Sequence, residues 1–288
     1  MLILNSPEVV QETVLRWKRE YKIAFVPTMG CLHEGHLKLV QKAKELGQKV
    51  VVSIFVNPLQ FGPNEDFEKY PRTMELDQEK LRSLHVDLLF APSVQELYRP
   101  GFSTKIVVGA LGNHLCGRSR PGHFDGVATV CAKLFQITQP DYAIFGQKDF
   151  QQLRIIEQLI SDLNFPVTIV AHPTVREPDG LAMSSRNRYL SEEERATAVT
   201  LSEALSQIKA IAQSHPESSV HDVLAPGKQR LNEKGLHIEY LEIASEANLI
   251  PAAMGTRLLE IPEPRVFAAV KLGQTRLIDN QKLVGDLL

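Results

Sequence analysis

Apolar and polar positions alternate along the chain in two rhythms. Over residues 23–26 and again over 49–56 the apolar residues run almost without interruption and are largely β-branched, as in strands covered on both faces. Between them Leu39, Val40, Ala43 and Leu46 recur at helical spacing, and the pattern stops at Gly47. The succession continues with a helix over about 73–85, a strand at 86–90 and a helix marked by Val127, Val130, Cys131 and Leu134. A strand at 141–145, a helix over 149–163 and a strand at 167–171 follow. Ahead of them all, residues 6–20 predict a helix capped by Ser6, with Pro7 at its first position and Val9, Val10, Thr13, Val14 and Trp17 facing inward. A short strand is expected over 104–108. Residues 109–126, rich in glycine and nearly aperiodic, read as a long functional loop, as do the polar residues 57–72.

Strand–helix alternation with right-handed crossovers predicts an α/β fold with a doubly wound, Rossmann-like parallel sheet. Ligands of such sheets bind beyond the carboxyl ends of the strands. Near residue 180 the rhythm changes. Ser191 and Glu194 have capping-box spacing for a helix reaching about Gln213, and a second helix is expected over 220–234. Alternating stretches at 238–244, 257–261, 266–272 and 276–279 then follow without helices between them, which predicts an antiparallel sheet. The expected organisation is a Rossmann-like domain over 1–180 and a smaller C-terminal α+β domain over 181–288, the boundary serving as a hinge and the second domain as a lid.

Composition narrows the classes of function. The chain has 288 residues, 43% of them hydrophobic, with a net charge of −2 and a pI near 6.5. That balance argues against a nucleic-acid surface or a polybasic membrane anchor, while leaving room for local basic patches. No apolar run approaches the roughly 18 residues of a membrane span, and no signal-peptide core is present. Three widely spaced cysteines without a CxxC pair fit neither a zinc cluster nor a disulfide framework. The expectation is a cytoplasmic protein.

Candidate chemistry gathers where strands end. Pro27-Thr-Met-Gly-Cys-Leu-His-Glu-Gly-His36 turns from the first long strand into a helix. A helix N-terminus offers unpaired N–H groups and a positive dipole end, which favour phosphate. His33 and His36 can donate hydrogen bonds to a phosphoryl group, and Gly35 lets a base approach the backbone. Read alone, the pair also fits surface or capping histidines. Its three-residue spacing departs from the His-Glu-x-x-His pattern of zinc proteases. Gly146-Gln-Lys-Asp149 forms a second strand-to-helix turn, where Lys148 suits phosphate and Asp149 suits either Mg²⁺ or a helix cap.

The segment from Pro27 to His36 resembles the signature of the nucleotidylyl-transferase superfamily. More specifically it resembles the pantothenate synthetase (pantoate–β-alanine ligase) family. Four further stretches match that family in order: Asn57-Pro-Leu-Gln-Phe-Gly62, Arg120-Pro-Gly-His-Phe-Asp-Gly126, Phe145-Gly-Gln-Lys-Asp-Phe-Gln-Gln152 and Thr174 to Asn187. The likeness runs from the first helix to Leu277-Ile-Asp-Asn280. It implies an ATP-dependent condensation of (R)-pantoate with β-alanine to pantothenate, through pantoyl adenylate, releasing pyrophosphate and AMP. It also implies a homodimer, and Mg²⁺ accompanying ATP.

By the same resemblance, Met29, Gly30, Cys31, Leu32, His33, Glu34, Gly35 and His36 line the ATP site, with His36 as proton donor. Gly146, Gln147, Lys148, Asp149, Val175, Met183, Ser184, Ser185 and Arg186 complete it. His33, Lys148 and Arg186 join His36 as the catalytic set. Gln60 and Gln152 are the pantoate-binding amides, and Asp149 is the candidate metal ligand. Arg120 and His123 lie in a matching motif and face substrate or phosphate in this reading. The chain departs from the family at Gln147, where Glu is usual, which leaves no anionic ligand at that position. Another adenylyl transferase, acting on a phosphorylated acceptor, would call for Arg or Lys where Gln60 and Gln152 stand. A non-catalytic nucleotide-binding relative would have no need of intact His33, His36, Lys148 and Arg186.

Overall fold

A computed structural model of the chain describes residues 1–63 and 65–284. Asn64, within the expected 57–72 loop, and residues 285–288, at the end of the expected second domain, lie outside the described residues. By their contacts the residues fall into two compact units. The first comprises Met1–Val108, Arg120–Gln147 and Gln152–Thr174; the second comprises Gly109–Ser119, Lys148–Gln151 and Val175–Leu288. The boundary expected near residue 180 lies close to Val175. The two short inner stretches that join the second unit leave no trace in the hydrophobic pattern.

The elements follow in chain order. They are β1 (Leu2–Leu4), α1 (Pro7–Trp17), β2 (Ile23–Thr28), α2 (Glu34–Leu46), β3 (Lys49–Ile54), α3 (Met74–Ser83), β4 (Leu88–Phe90) and α4 (Val94–Leu97). Then come α5 (Leu115–Ser119), α6 (His123–Thr138), β5 (Tyr142–Gly146), α7 (Phe150–Leu163) and β6 (Thr168–His172). The chain continues with α8 (Glu192–Ser214), α9 (Val220–Glu233), β7 (His237–Ser245), β8 (Pro264–Leu272) and β9 (Thr275–Lys282).

The first unit carries a six-stranded parallel sheet in the order β1-β4-β3-β2-β5-β6. Adjacent residues of β2 supply opposite faces. Ala24 and Val26 pack with Leu39, Val40 and Ala43 of α2 and Leu81 of α3, whereas Phe25 meets Phe135 of α6 edge-on at 6.4 Å. From β2 the chain builds outward through β3 to β4, then crosses back to place β5 on the other side of β2. The sheet's switch point therefore lies between β2 and β5, where open α/β sheets bind ligands. β3, β2 and β5 are adjacent strands, so their carboxyl ends lie side by side.

The second unit holds an antiparallel sheet, β7-β8-β9, against α8 and α9. Val266, Ala268 and Val270 of β8 and Leu277 of β9 share one core with Ala198, Leu201, Leu205 and Ile208 of α8 and Val223 and Leu231 of α9. The capping box predicted for α8 is present, Ser191 and Glu194 each accepting the other's backbone N–H.

Four local expectations are corrected. Residues 257–261 form no strand: Leu258–Glu260 is a 3-10 turn, and its buried apolar residues, Leu258 and Ile261, are three apart, with Leu259 exposed. Residues 104–108 form no strand either, because Ile106 and Val108 donate their N–H groups to the Thr129 and Asp125 side chains of α6. Residues 109–126 are largely helical, in pieces too short to establish a period: a 3-10 turn at Ala110–Gly112, then α5, then the start of α6. Val9 of α1 is exposed, although Val10, Thr13 and Val14 are buried. β1 and α4, three and four residues long, carried no pattern to predict.

Candidate active site

The turn after β2 is shaped by two successive residues in the left-handed region, Gly30 at φ 81° and Cys31 at φ 51°. A Cβ at Gly30 would lie 2.9 Å from Ile54 Cγ2 and 3.3 Å from Asp77 Oδ2, so glycine is required there for space as well as for φ. For Cys31 the conformation costs about 1–2 kcal/mol. Two hydrogen bonds offset it: Cys31 and Leu32 donate their N–H groups to the Asp77 carboxylate, each at 2.8 Å. Asp77 is 1% exposed and also accepts from Thr73 Oγ1 at 3.1 Å. Lys80 closes the clamp by donating to the Leu32 carbonyl at 2.6 Å. The side chains of Cys31 and Leu32 are fully buried. Both residues, expected among the ATP contacts, have their N–H groups and side chains committed to the protein.

His33 stands at the N-cap of α2 and His36 one turn on. Their rings lie 4.0 Å apart between centroids, and the His33 N–H donates to His36 Nδ1 at 3.3 Å. An imidazole nitrogen that accepts is unprotonated, so in the neutral ring of His36 the proton resides on Nε2. The capping geometry thus selects a tautomer and leaves His36 with a donor.

Gln60, in the 3-10 turn Pro58–Gln60 after β3, is 9% exposed. Its Nε2 donates to Met29 Sδ at 2.9 Å and its Oε1 accepts from Asn57 Nδ2 at 3.1 Å. The sheet edge therefore brings together the predicted Gln60 and Met29. Asn57 also donates to the Gly126 carbonyl and accepts from Tyr98 Oη at 2.9 Å. A Cβ on Gly126 would sit 2.2 Å from the Leu59 carbonyl oxygen, so only glycine lets α6 approach the turn this closely. Arg120 and His123, expected to face substrate or phosphate, both engage the Gln60 backbone carbonyl, at 3.2 and 2.7 Å. Arg120 Nε also donates to Glu65 at 2.7 Å. Burial alone raises the Glu65 carboxyl, but the hydrogen bonds and charge of Arg120 outweigh it and hold Glu65 below its ordinary value.

The two glutamines after β5 have different fates. Gln151 is buried and spends its amide on the N–H of Cys116 and the carbonyls of Leu111 and His114. Gln152, the predicted substrate ligand, is half-buried on the first turn of α7. Gly146 ends β5, and Gln147–Asp149 forms a 3-10 turn ahead of α7. Asp149 is exposed, with a carboxylate oxygen 3.8 Å from Lys148 Nζ. Among the described residues, no group of three or more His, Cys, Asp or Glu is placed to hold a metal ion.

In the second unit Val175 and Met183 are paired across a small hairpin through Met183 N–H to Val175 O at 3.0 Å. Ser184 caps the 3-10 turn Ser185–Tyr189, accepting from the Arg186 N–H at 3.3 Å. Ser185 is buried and Arg186 half-buried. Of the three cysteines, all unbridged and buried, Cys131 has its thiol pushed up to about 12 by burial, which removes it as a nucleophile. Asp77, Arg176 and Asn280 are the supporting residues that sequence reasoning passed over. An acidic residue in the first turn of a helix, as Asp77 is, reads as an ordinary dipole partner until the fold brings another turn to it.

Comparison with known proteins places the chain in a family. The model of the family described as pantoate-beta-alanine ligase matches residues 2–282. The pantothenate synthetase of Pseudomonas fluorescens is 52% identical over 286 residues, 97% of this chain and 98% of that protein. The crystal structure of pantothenate synthetase from Thermus thermophilus superposes with a TM-score of 0.92 at 42% identity, covering 99% of this chain and 100% of that one. The pantoate-beta-alanine ligase of Francisella tularensis, solved in complex with beta-gamma ATP and beta-alanine, gives 0.82 at 35% identity over 99% of each chain. Identity of this depth over nearly the full length of every partner, on the same fold, assigns the sequence: the chain belongs to the pantoate-beta-alanine ligase family.

Proposed function

We propose that the chain joins pantoate to β-alanine at the expense of ATP, through pantoyl adenylate, with roles divided among the residues described above. In the first step a pantoate carboxylate oxygen bonds to the α-phosphorus of ATP while the bond to the β-phosphate oxygen breaks and pyrophosphate leaves. In the second the neutral amine of β-alanine attacks the acyl carbon. The bond from the acyl carbon to the bridging anhydride oxygen breaks, AMP departs with that oxygen, and the amine loses its proton to solvent. Neither step needs a protein nucleophile. Both need charge neutralised on phosphate and reactants held in line.

The observation that carries this reading is the Gln60 amide resting on the Met29 thioether beside the histidine-bearing turn. Sulfur is a weak acceptor, so Nε2 is a donor readily claimed by a carboxylate or hydroxyl oxygen. A neutral amide there binds the acid without blunting its nucleophilicity. Gln152 is the second such amide. His36 Nε2–H donates to a phosphate oxygen as charge builds, with His33 beside it, and Met29, Glu34 and Gly35 offer the remaining contacts of that turn. In the second unit Lys148, Ser184, Ser185 and Arg186 are the phosphate ligands and Val175 meets the base through its backbone. Mg²⁺ fits as an ion that arrives on the triphosphate, since magnesium at phosphates uses only one or two carboxylates, here Asp149. It would neutralise phosphate charge.

A homodimer and a cytoplasmic location complete the proposal. No described helix is long and apolar enough to cross a membrane. The deciding experiment incubates the protein with ATP, Mg²⁺, pantoate and β-alanine and measures pyrophosphate, AMP and pantothenate. Pyrophosphate release that requires pantoate, and AMP release that requires β-alanine as well, supports it. ATP consumption independent of pantoate would refute it. Light scattering of the purified chain tests the dimer.

A further inference from the structure

The family-like stretch Leu277-Ile-Asp-Asn280 has no part in the chemistry above, yet two of its residues are buried polar groups with committed partners. Asp279 is 3% exposed and lies on the face of β9 that packs toward α8 and α9, paired across the sheet with Ala268. Its carboxylate takes both ends of the Arg176 guanidinium, at 2.6 and 2.9 Å. Arg176 in turn donates to the Gly180 carbonyl at 3.0 Å. It sits in the hairpin that runs out from Val175 and returns through Ala182 to Met183. The turn Ser185–Tyr189, which carries Arg186, packs beside β9.

Asn280 is 5% exposed and leaves the opposite face of β9, opposite Phe267. Its Oδ1 accepts from Arg265 Nη1 at 2.6 Å, and its Nδ2 donates to the Lys148 carbonyl at 2.8 Å. Arg265 lies over the Phe150 ring at 4.0 Å, and Phe150 also meets Phe267 at 5.9 Å. Lys148 is thus held by its own carbonyl and, through Phe150, by a guanidinium and a ring.

We propose that Asp279 and Asn280 are positioning residues for the ligation reaction: adjacent on one strand, they hold the Val175–Arg186 segment and the Lys148 turn in the geometry that receives ATP. The proposal rests on the reading of Lys148, Val175 and Arg186 as nucleotide contacts. A purely structural role would be served by any group that fills the space. The chemistry here is directional: only a side chain with one acceptor and one donor bridges Arg265 to the Lys148 carbonyl, and only a carboxylate matches the Arg176 fork.

Asn280→Asp separates the two accounts, since a carboxylate still accepts from Arg265 but cannot donate to Lys148. Pyrophosphate release is measured on the full chain with ATP and pantoate varied separately. The variants are Asn280→Asp, Asp279→Asn, Lys148→Ala and the double variant Lys148→Ala/Asn280→Asp. Asn280→Asp and Asp279→Asn each raise the KM for ATP about tenfold, the scale of one buried hydrogen bond lost, and leave the pantoate KM within about twofold. On the Lys148→Ala background Asn280→Asp adds less than about twofold, because both act through one residue. Equal rises in both KM values, an unchanged ATP KM or full additivity overturn the proposal. If Lys148→Ala itself leaves the ATP KM unchanged, the reading of Lys148 fails and the proposal falls with it. A Lys148→Ala defect beside a normal Asn280→Asp overturns the positioning role alone. Should Asn280→Asp not fold, Asn280→Ala, which places no charge in the site, takes its place under the same criteria.

Discussion

The turns after β2 and β5 leave neighbouring strands of one parallel sheet, and each opens a helix, but they are held from opposite ends of their polar groups. The β2 turn is gripped by its donors. Cys31 and Leu32 give their N–H groups to Asp77, a carboxylate on α3 that is out of water. The β5 turn is gripped by an acceptor, the Lys148 carbonyl accepting a hydrogen bond from the Asn280 amide. A helix start is attractive to phosphate because its N–H groups are unpaired. The first turn has spent two of its donors on the protein, so in the proposed reading its dealings with ATP fall to imidazoles and to the later N–H groups of α2. The second keeps a lysine ammonium with one exposed carboxylate near it. On the proposed reading the same motif of strand, turn and helix is used once to aim side chains and once to supply charge.

The strongest test of that contrast is the side chain the first turn aims. His36→Ala removes the Nε2–H donor and leaves the Asp77 clamp intact, and the adenylation step falls by about 10²–10⁴-fold. Pre-steady-state pyrophosphate release measures it, and a variant that retains full release would break the assignment. Next in size is the clamp. Asp77→Asn replaces an acceptor of two N–H groups with a side chain whose own N–H₂ must face one of them. Leaving a buried donor unsatisfied costs about 1–3 kcal/mol. Catalytic efficiency with ATP drops about 10–100-fold, and the thermal midpoint falls with it. A Thr73→Ser variant, which retains the hydroxyl on Asp77, stays near the parent protein. A loss of stability with unchanged kinetics would reduce Asp77 to a packing residue and dissolve the contrast.

These residues also mark how far the sequence could be read. The sheet was legible because β2 and β3 are continuous apolar runs and because Leu39, Val40 and Ala43 repeat at helical spacing between them. The histidine turn was legible because glycine, histidine and a helix start fall together over ten residues. Asp77 was not, because nothing in the local pattern of α3 says that its first turn lies under a loop 46 positions earlier. Nor was the fate of Arg120 and His123. Their motif drew attention to the right place, but only the close approach permitted by Gly126 shows that both reach the Gln60 carbonyl. Long-range hydrogen bonds of this kind have no periodicity to betray them. Residues 257–261 show the converse error, a pattern that misleads: two apolar residues three apart, with an exposed leucine between, imitate the composition of a strand without its alternation.

Two adjacent glutamines sharpen the comparison within the β5 turn itself. Gln151 is committed to backbone groups of residues 111–116, whereas Gln152 is half-buried one position along. Gln152→Ala raises the pantoate KM about tenfold, the effect of one or two lost ligand hydrogen bonds, and alters the ATP KM much less. Gln151→Ala lowers thermal stability and shifts both KM values together. The reverse pattern would exchange the two roles.

The smallest expected effect concerns Glu65, which supports the Gln60 loop through Arg120. Burial pushes its carboxyl up, but the hydrogen bonds and charge of Arg120, the Gly62 backbone and the charge of His123 together bring it below its ordinary 4.5. A carboxyl whose folded value is depressed stabilises the fold at all pH values above the unfolded value. That contribution fades as pH falls from about 4.5 through the folded value. Glu65→Gln lacks it at every pH. The gap in thermal midpoint between parent and variant is therefore constant from neutral pH down to about pH 5 and narrows below that, the variant having the flatter acid limb. The kinetic trace is a modest rise in the pantoate KM at neutral pH, about threefold or less, as expected for a partly solvated ion pair. Because Arg120 also holds the carbonyl of Gln60, the amide read as a ligand of the acid, the effect should reach the acid substrate more than the nucleotide. A rise in the ATP KM alone would mean that the Gln60 loop serves the histidine turn instead, and that the acid site lies elsewhere along the carboxyl edge of the sheet.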